Sequence, residues 1–167
     1  MTVIRAAVGA DVPGIREVGH LAWPETYAFA GADYIAHGLQ AWWSADATLR
    51  SMRDTEVLVA VDGDRVVGVG NVDLRGEVPI IWKLYVVPDQ QGAGTGSALM
   101  TSLLELVPSS ATAVRLEYVD GNDRAARFYA RHGFREIGRE PGERPGWPMC
   151  VWLERPLAPM MVRRVTP

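Results

Sequence analysis

The sequence predicts a single domain of mixed α/β class, and three observations carry that reading. An apolar run over residues 80–87 stops at Pro88, passes a turn with glycines at 92, 94 and 96, and enters a helical stripe of Leu99, Leu103 and Leu106. Residues 114–119 alternate as a second strand and lead into a second helix, so a parallel strand–helix–strand–helix section lies in mid-chain. Upstream, Asp62-Gly63-Asp64 separates two β-branched runs, a hairpin signal that makes the earlier part of the sheet antiparallel.

Each element has a local reason. Residues 3–7 alternate as a short first strand. Asp11 and Pro13 open a helix, where proline's missing N–H costs nothing, with Ile15, Val18 and Leu21 on its inner face. Residues 23–43, dense in aromatics and turn signals, read as a helix–loop–helix cap, and Asp46 caps a further turn reaching Met52. Residues 57–61 and 65–71 flank the hairpin, residues 73–78 form a loop, and Pro79 leads into the strand over 80–87. The last helix ends at His132 with Gly133 as its terminator. A late strand begins at Phe134, residues 138–148 form a Gly/Pro-rich loop, and residues 149–153 close the sheet. Three prolines and little periodicity mark 156–167 as a tail, leaving 1–155 as the domain.

Composition removes several function classes. The chain has 167 residues and a formal charge of −3, which recommends no nucleic-acid partner. No apolar run approaches the ~18 residues of a membrane helix, so no membrane partner is expected. No secretory signal is readable, and one cysteine, Cys150, cannot form an intrachain disulfide, which points to the cytoplasm. Cys150 sits in a strand pattern and reads as a core thiol. Lys83 is the chain's one lysine, read as codon bias. His20, His37 and His132 are too scattered for a metal site, and no metal is expected. His132 ends a helix, where a cation suits the dipole.

The turn after Val87 carries the chemistry. The first amides of a helix lack intrahelical partners and the dipole adds positive potential, so a Gly-rich strand-to-helix turn is an anion site. A P-loop would need lysine after its last glycine, yet Ser97 and Ala98 stand there, and the dinucleotide fingerprint would need glycine at 97. The second motif runs Asn122-x-x-Ala125-x-x-Phe128-Tyr129-x-x-x-Gly133-Phe134, with Asn122 as N-cap.

Gln91-x-x-Gly94-x-Gly96 followed by this second motif resembles the GNAT superfamily of acyl-CoA-dependent N-acyltransferases. The resemblance is strong over residues 82–134 and weaker over nearly the whole chain. It implies a twisted sheet flanked by helices on both faces, its central parallel strands splayed apart. The cosubstrate it implies is acetyl-CoA. The pantetheine arm would enter the splay beside Tyr85, Val86 and Val87, near Asn122. The pyrophosphate would lie on Gln91, Gly92, Ala93, Gly94, Thr95, Gly96 and Ser97. Of Arg124, Arg127, Arg131 and Arg135, one or two meet phosphates if they are not simply a solvated face.

Acyl transfer to an amine needs a neutral nucleophile and a proton for the leaving thiolate. An alkylamine is only about 0.04 % neutral at pH 7, whereas a phenol is protonated there. Tyr129 stands where the family places this phenol. Many relatives carry a glutamate base on the central strand, four residues before the Leu of Leu-Tyr-Val; here that position is Ile80. Glu117 on the neighbouring strand is the candidate base, with Asp73, Glu77, Glu25 and a chain of waters left open. The acceptor side of this superfamily is walled by the first helices, here offering Trp23, Glu25, Tyr27 and Tyr34, with Trp42 and Trp43 nearby. Trp23-x-x-Thr26-Tyr27 resembles a subgroup that includes polyamine acetyltransferases. The expected acceptor is a primary amine of a small molecule or peptide. A coenzyme sensor without turnover is the alternative, and a homodimer stays open.

Overall fold

The computed structural model describes residues 1–158. Seven strands form one sheet in the order β1-β2-β3-β4-β5-β7-β6. They are β1 (Thr2–Ala6), β2 (Glu56–Asp62), β3 (Arg65–Asp73), β4 (Ile80–Val86), β5 (Ala113–Val119), β6 (Arg135–Glu140) and β7 (Cys150–Pro156). Every neighbouring pair is antiparallel except β4 and β5. The helices are α1 (Val12–Thr26), α2 (Ala32–Trp42), α3 (Ala45–Asp54), α4 (Thr95–Glu105) and α5 (Asp123–Arg131). Among the described residues no helix is long and apolar enough to cross a membrane.

Helices cover both faces, as expected. A Cβ on Gly70 would meet Leu103 of α4 at 2.8 Å, whereas the next residue, Asn71, bonds Ser51 of α3 on the opposite face. Leu99, Met100 and Leu103 are fully buried, each contributing about 1.5–3 kcal/mol of transfer free energy. The third residue of the expected stripe, Leu106, lies past the end of α4 and is exposed. Leu21 is exposed as well.

Several boundaries move. Helix α1 continues through Pro24 to Thr26 instead of stopping before the aromatic cap. The cap of α3 is Ser44, whose Oγ accepts from the Ala47 amide at 3.2 Å; Asp46 lies inside the first turn. Strand β7 ends at Pro156, and the Leu157 amide donates to the Thr112 carbonyl at 2.9 Å. The segment read as a tail therefore begins within the sheet, and its residues 159–167 lie outside the described residues.

The splay is visible in the ladder. β4 and β5 pair only at Ile80 with Arg115 and Ile81 with Leu116, near the start of β4. Beyond that point β5 keeps its partner β7 to Val119, and β4 keeps β3 to Val86, but the two no longer meet. The register of β3 jumps from Asn71 opposite Lys83 to Val72 opposite Ile81, leaving Trp82 unpaired as a bulge. A bulge adds twist and bends its strand, which opens the gap here.

Candidate active site

Two cavities of about 550 and about 490 Å³ meet across the splay, sharing Tyr27, Trp82, Lys83, Tyr85, Glu117 and Tyr118. The first runs to the glycine turn. The second opens beneath α1 to α3 and the loop before β7.

The first cavity gathers much of the expected coenzyme set. The turn contributes Gln91, Gly92, Gly94, Gly96 and Ser97, β4 contributes Tyr85 and Val86, and α5 contributes Asn122 and Tyr129. Among the described residues the amides from Gly92 to Ser97 have no hydrogen-bond partner; the first bond into α4 runs from Ala98 to the Gly94 carbonyl. Gly94 is at φ +87° and a Cβ built on it meets nothing within 4 Å, so the turn is an open concavity. The residues thus fit an anionic group, by free donors and by space.

Other members of that set lie elsewhere. Thr95 is buried, and neither it nor Ala93 lines the cavity. Val87 is fully buried with its amide on the Val67 carbonyl at 2.9 Å, so it cannot serve the cleft. Alternation then turns the backbone of Val86 toward the gap. The Val86 carbonyl is taken by Gln91 Nε2 at 2.9 Å, and the Gln91 amide bonds the Pro88 carbonyl at 3.3 Å, so Gln91 shapes the strand end and offers no amide of its own. Arg124 bonds the Gln91 side chain and lines the cleft with Arg131, whereas Arg127 and Arg135 do not line it. His132 binds Ser97 Oγ at 3.1 Å, and burial first, then Arg155 and Arg131, lowers its pKa. That shift disfavours the helix-end cation expected.

Asn122 does cap α5, its Oδ1 accepting from the Ala125 amide at 3.2 Å. Tyr129, two turns on, lines the first cavity, and its phenol has no hydrogen-bond partner among the described residues. Burial pushes that phenol up to about 12. Glu117 reaches the junction from β5, its carboxyl raised first by burial and then by Glu140 and Glu143, against a contact with Cys150 that lowers it. Cys150 is half-buried on the cavity wall, not in the core, and burial pushes its thiol up to about 11. Asp73 is held well below the usual carboxylate range, to about 2, by Arg75 at 2.7 Å, which makes it a poor base. Glu77 is exposed in the loop before β4.

The second cavity is aromatic. Trp23, Tyr27 and Tyr34 line it, but Glu25 does not: it is exposed and borders the first cavity instead. Tyr27 is 5 % exposed, its hydroxyl 2.8 Å from that of Tyr85, and burial raises both phenols. Tyr34, raised to about 12 by burial, stacks on Trp23 at 5.9 Å and meets Trp147 edge-on at 5.1 Å. Trp43 and Trp23 press so closely on Gly19 and Gly38 that an added Cβ would fall 2.0 and 2.2 Å from their rings. His37 bonds Glu143 at 3.0 Å, tying α2 to the loop that closes the cavity; His20 lies away, on the Arg16 carbonyl at 2.8 Å. Sequence reasoning missed Trp147, Trp82, Asn71 and Lys83, because loop and strand neighbours far apart in sequence supply them.

A family model described as an acetyltransferase (GNAT) domain matches residues 53–136, half of the chain. The chain belongs to the GNAT family. Its GNAT fold is shared with the PaiA N-acetyltransferase of Thermoplasma acidophilum in complex with coenzyme A, at a TM-score of 0.80, 19 % identity and coverage of 94 % of this chain and 99 % of that one. The ribosomal-protein-S18-alanine N-acetyltransferase of Escherichia coli gives 0.76 at 17 % identity, covering 99 % of each chain. A phosphinothricin N-acetyltransferase of Streptomyces coelicolor is 38 % identical over 79 residues, which span 44 % of this chain and 46 % of that relative's length.

Proposed function

We propose that the protein is an acetyl-CoA-dependent N-acetyltransferase acting on a primary amine of a small molecule or peptide. The observation that carries this is the lining of the first cavity: a phenol from α5 and a partly buried carboxylate from β5 face one space that runs from a turn of unpaired amides to the aromatic chamber. The thioester supplies an activated acetyl carbon. The amine nitrogen bonds to that carbon as the carbon–sulfur bond breaks. Glu117 accepts the amine proton, its raised pKa making it a better base than a solvated carboxylate.

Tyr129 assists the departing sulfur. Moving its proton fully from a phenol at about 12 to a thiolate whose thiol has a pKa near ~8.5 is uphill by about 5 kcal/mol, so Tyr129 acts as a hydrogen-bond donor while the thiolate forms. Pantetheine lies against Val86 and Asn122, and the pyrophosphate on the amides of Gly92, Gly94, Gly96 and Ser97. A cytoplasmic setting accords with the single half-buried thiol.

The test is coenzyme A release from acetyl-CoA across a panel of amino acids, polyamines, aminoglycosides and peptides. Turnover that falls in Tyr129→Phe and Glu117→Gln with acetyl-CoA binding intact is expected. Tight acetyl-CoA binding with no acceptor acetylated would overturn the enzyme reading.

A further inference from the structure

Lys83 takes no part in the transfer just described, yet it stands where the two cavities meet. Its ammonium lies 4.4 Å from the centre of the Trp43 ring and donates to the Trp42 carbonyl. Among the described residues no carboxylate pairs with it. An ammonium carries three donors, so hydrogen-bonding capacity is left over in an aromatic chamber. Burial lowers its pKa to about 8, with no carboxylate raising it in return. It is still mostly charged at pH 7.

Asn71 faces Lys83 directly across the β3–β4 ladder, on the same side of the sheet. The Thr55 hydroxyl donates to the Ser51 carbonyl at 2.7 Å, so its oxygen is free to accept from Asn71 Nδ2 at 3.1 Å. That fixes the amide with Nδ2 toward α3. Its Oδ1 is buried and has no partner among the described residues, in a residue 2 % exposed that lines the cavity.

The cavity's other charges are mostly engaged. Asp54 is held by Arg53 at 2.8 Å, Asp73 by Arg75 at 2.7 Å and Glu143 by His37 at 3.0 Å. Glu117 sits against Cys150, and Arg50 is an exposed cation on the wall with no carboxylate partner among the described residues. Among the described residues, what is left inside is the Lys83 charge beside the bare Asn71 acceptor, with one unpartnered donor, Trp23 Nε1, in the same lining and the Glu117 carboxylate without a cation.

We propose that the acceptor is an amino-acid-like molecule, its carboxylate or a comparable compact anion anchored by Lys83 and its amine first received by Asn71 Oδ1. The proposal rests on the acetyltransferase reading and narrows it. A polyamine would bring like charge against Lys83, and the Trp43 face suited to a cation is already occupied.

A single lysine makes the test direct. Lysine labelled with carbon-13 gives one side-chain signal from the native chain, and its pH titration reads the ammonium without requiring turnover. The probes are L-glutamate, L-methionine and phosphinothricin, each beside its carboxamide, with spermidine as the cationic control. At least one acid is expected to raise the Lys83 pKa by about one unit, equivalent to ~10-fold tighter binding to the charged form, while its carboxamide leaves it unmoved. In the acetyl-CoA assay that acid should exceed its carboxamide by ~10-fold or more in kcat/KM, roughly one charged hydrogen bond. Lys83→Met should erase that preference through KM, and Lys83→Arg should keep most of it.

No acid moving the signal, equal shifts from acid and carboxamide, or equal losses for both in Lys83→Met would each overturn the proposal. A shift without acetylation would instead sink the enzyme reading and leave the anion site. Acetylated polyamines with an unmoved Lys83 would do the reverse.

Discussion

Two glycines of the turn should respond to alanine with opposite signs in stability and the same sign in coenzyme binding. Gly96 is the second residue of α4 and lies outside the left-handed region; a Cβ there meets Phe128 at 3.5 and 3.6 Å, ordinary contact. Gly96→Ala therefore removes backbone freedom from the unfolded chain without strain, and should stabilise by up to about 0.5–1 kcal/mol. Gly94 sits at φ +87°, so Gly94→Ala meets open space but a strained backbone, costing about 1–2 kcal/mol. For a domain of this size, each kcal/mol moves the melting temperature by about 2–4 °C. Both methyl groups project near the free amides that should hold the pyrophosphate. Displacing one charge-assisted bond costs about 1.5–3 kcal/mol, or roughly 10- to 150-fold in Kd. Thermal melts of the free protein and calorimetry with acetyl-CoA measure the two quantities separately. A Gly96→Ala protein that melts no lower than its parent and binds acetyl-CoA within about twofold would refute the phosphate cradle.

Tyr129→Phe keeps the ring and removes a hydroxyl that has no partner among the described residues, so melting temperature and coenzyme affinity should hold while turnover falls by ~10² to 10⁴; unchanged turnover clears Tyr129 of a chemical role. Glu117→Gln should abolish the acid limb of the pH–rate profile, because only the carboxylate can accept the amine proton. Since burial raises the Glu117 pKa in the folded state, ionising it costs stability as pH rises through that range, so the Gln variant should be no less stable at pH 7. Asn122→Ala should lose about 1 kcal/mol as a missing cap and, beyond that, weaken acetyl-CoA binding; a purely thermal effect in calorimetry would confine Asn122 to capping.

The strand-to-turn-to-helix units were legible because the signals that make them are local. Pro88 ends a ladder, glycine permits the φ of the turn, Asn122 caps α5, and Gly133 at φ +84° ends it. Family membership follows from the same residues, since the spacing of turn and cap is fixed along the chain. Apolar runs or alternation likewise marked the strands apart from β6, whose six residues are all exposed and which runs on to Glu140 into the segment read as a loop. The ends of β7 and α1 depend on partners: Thr112 holds Leu157, and the packed cap carries α1 through Pro24.

Sequence alone therefore determined the sheet, the glycine turn, and Asn122 and Tyr129 on one helix. Tertiary structure decided the side-chain company of everything at the splay. Trp82 is left unpaired by a bulge that depends on the register of β3 against β4, which no local pattern specifies. Because that register sets Lys83 opposite Asn71, a residue readable as codon bias becomes an isolated charge on the cavity floor. Glu117 and Cys150 are set together by the ladder of β5 and β7, where Val119 opposes Cys150, across thirty intervening residues of helix, strand and loop. Periodicity tells which face a side chain takes within its own strand; which neighbour it meets is fixed by pairing across the sheet, and that is a property of the folded chain.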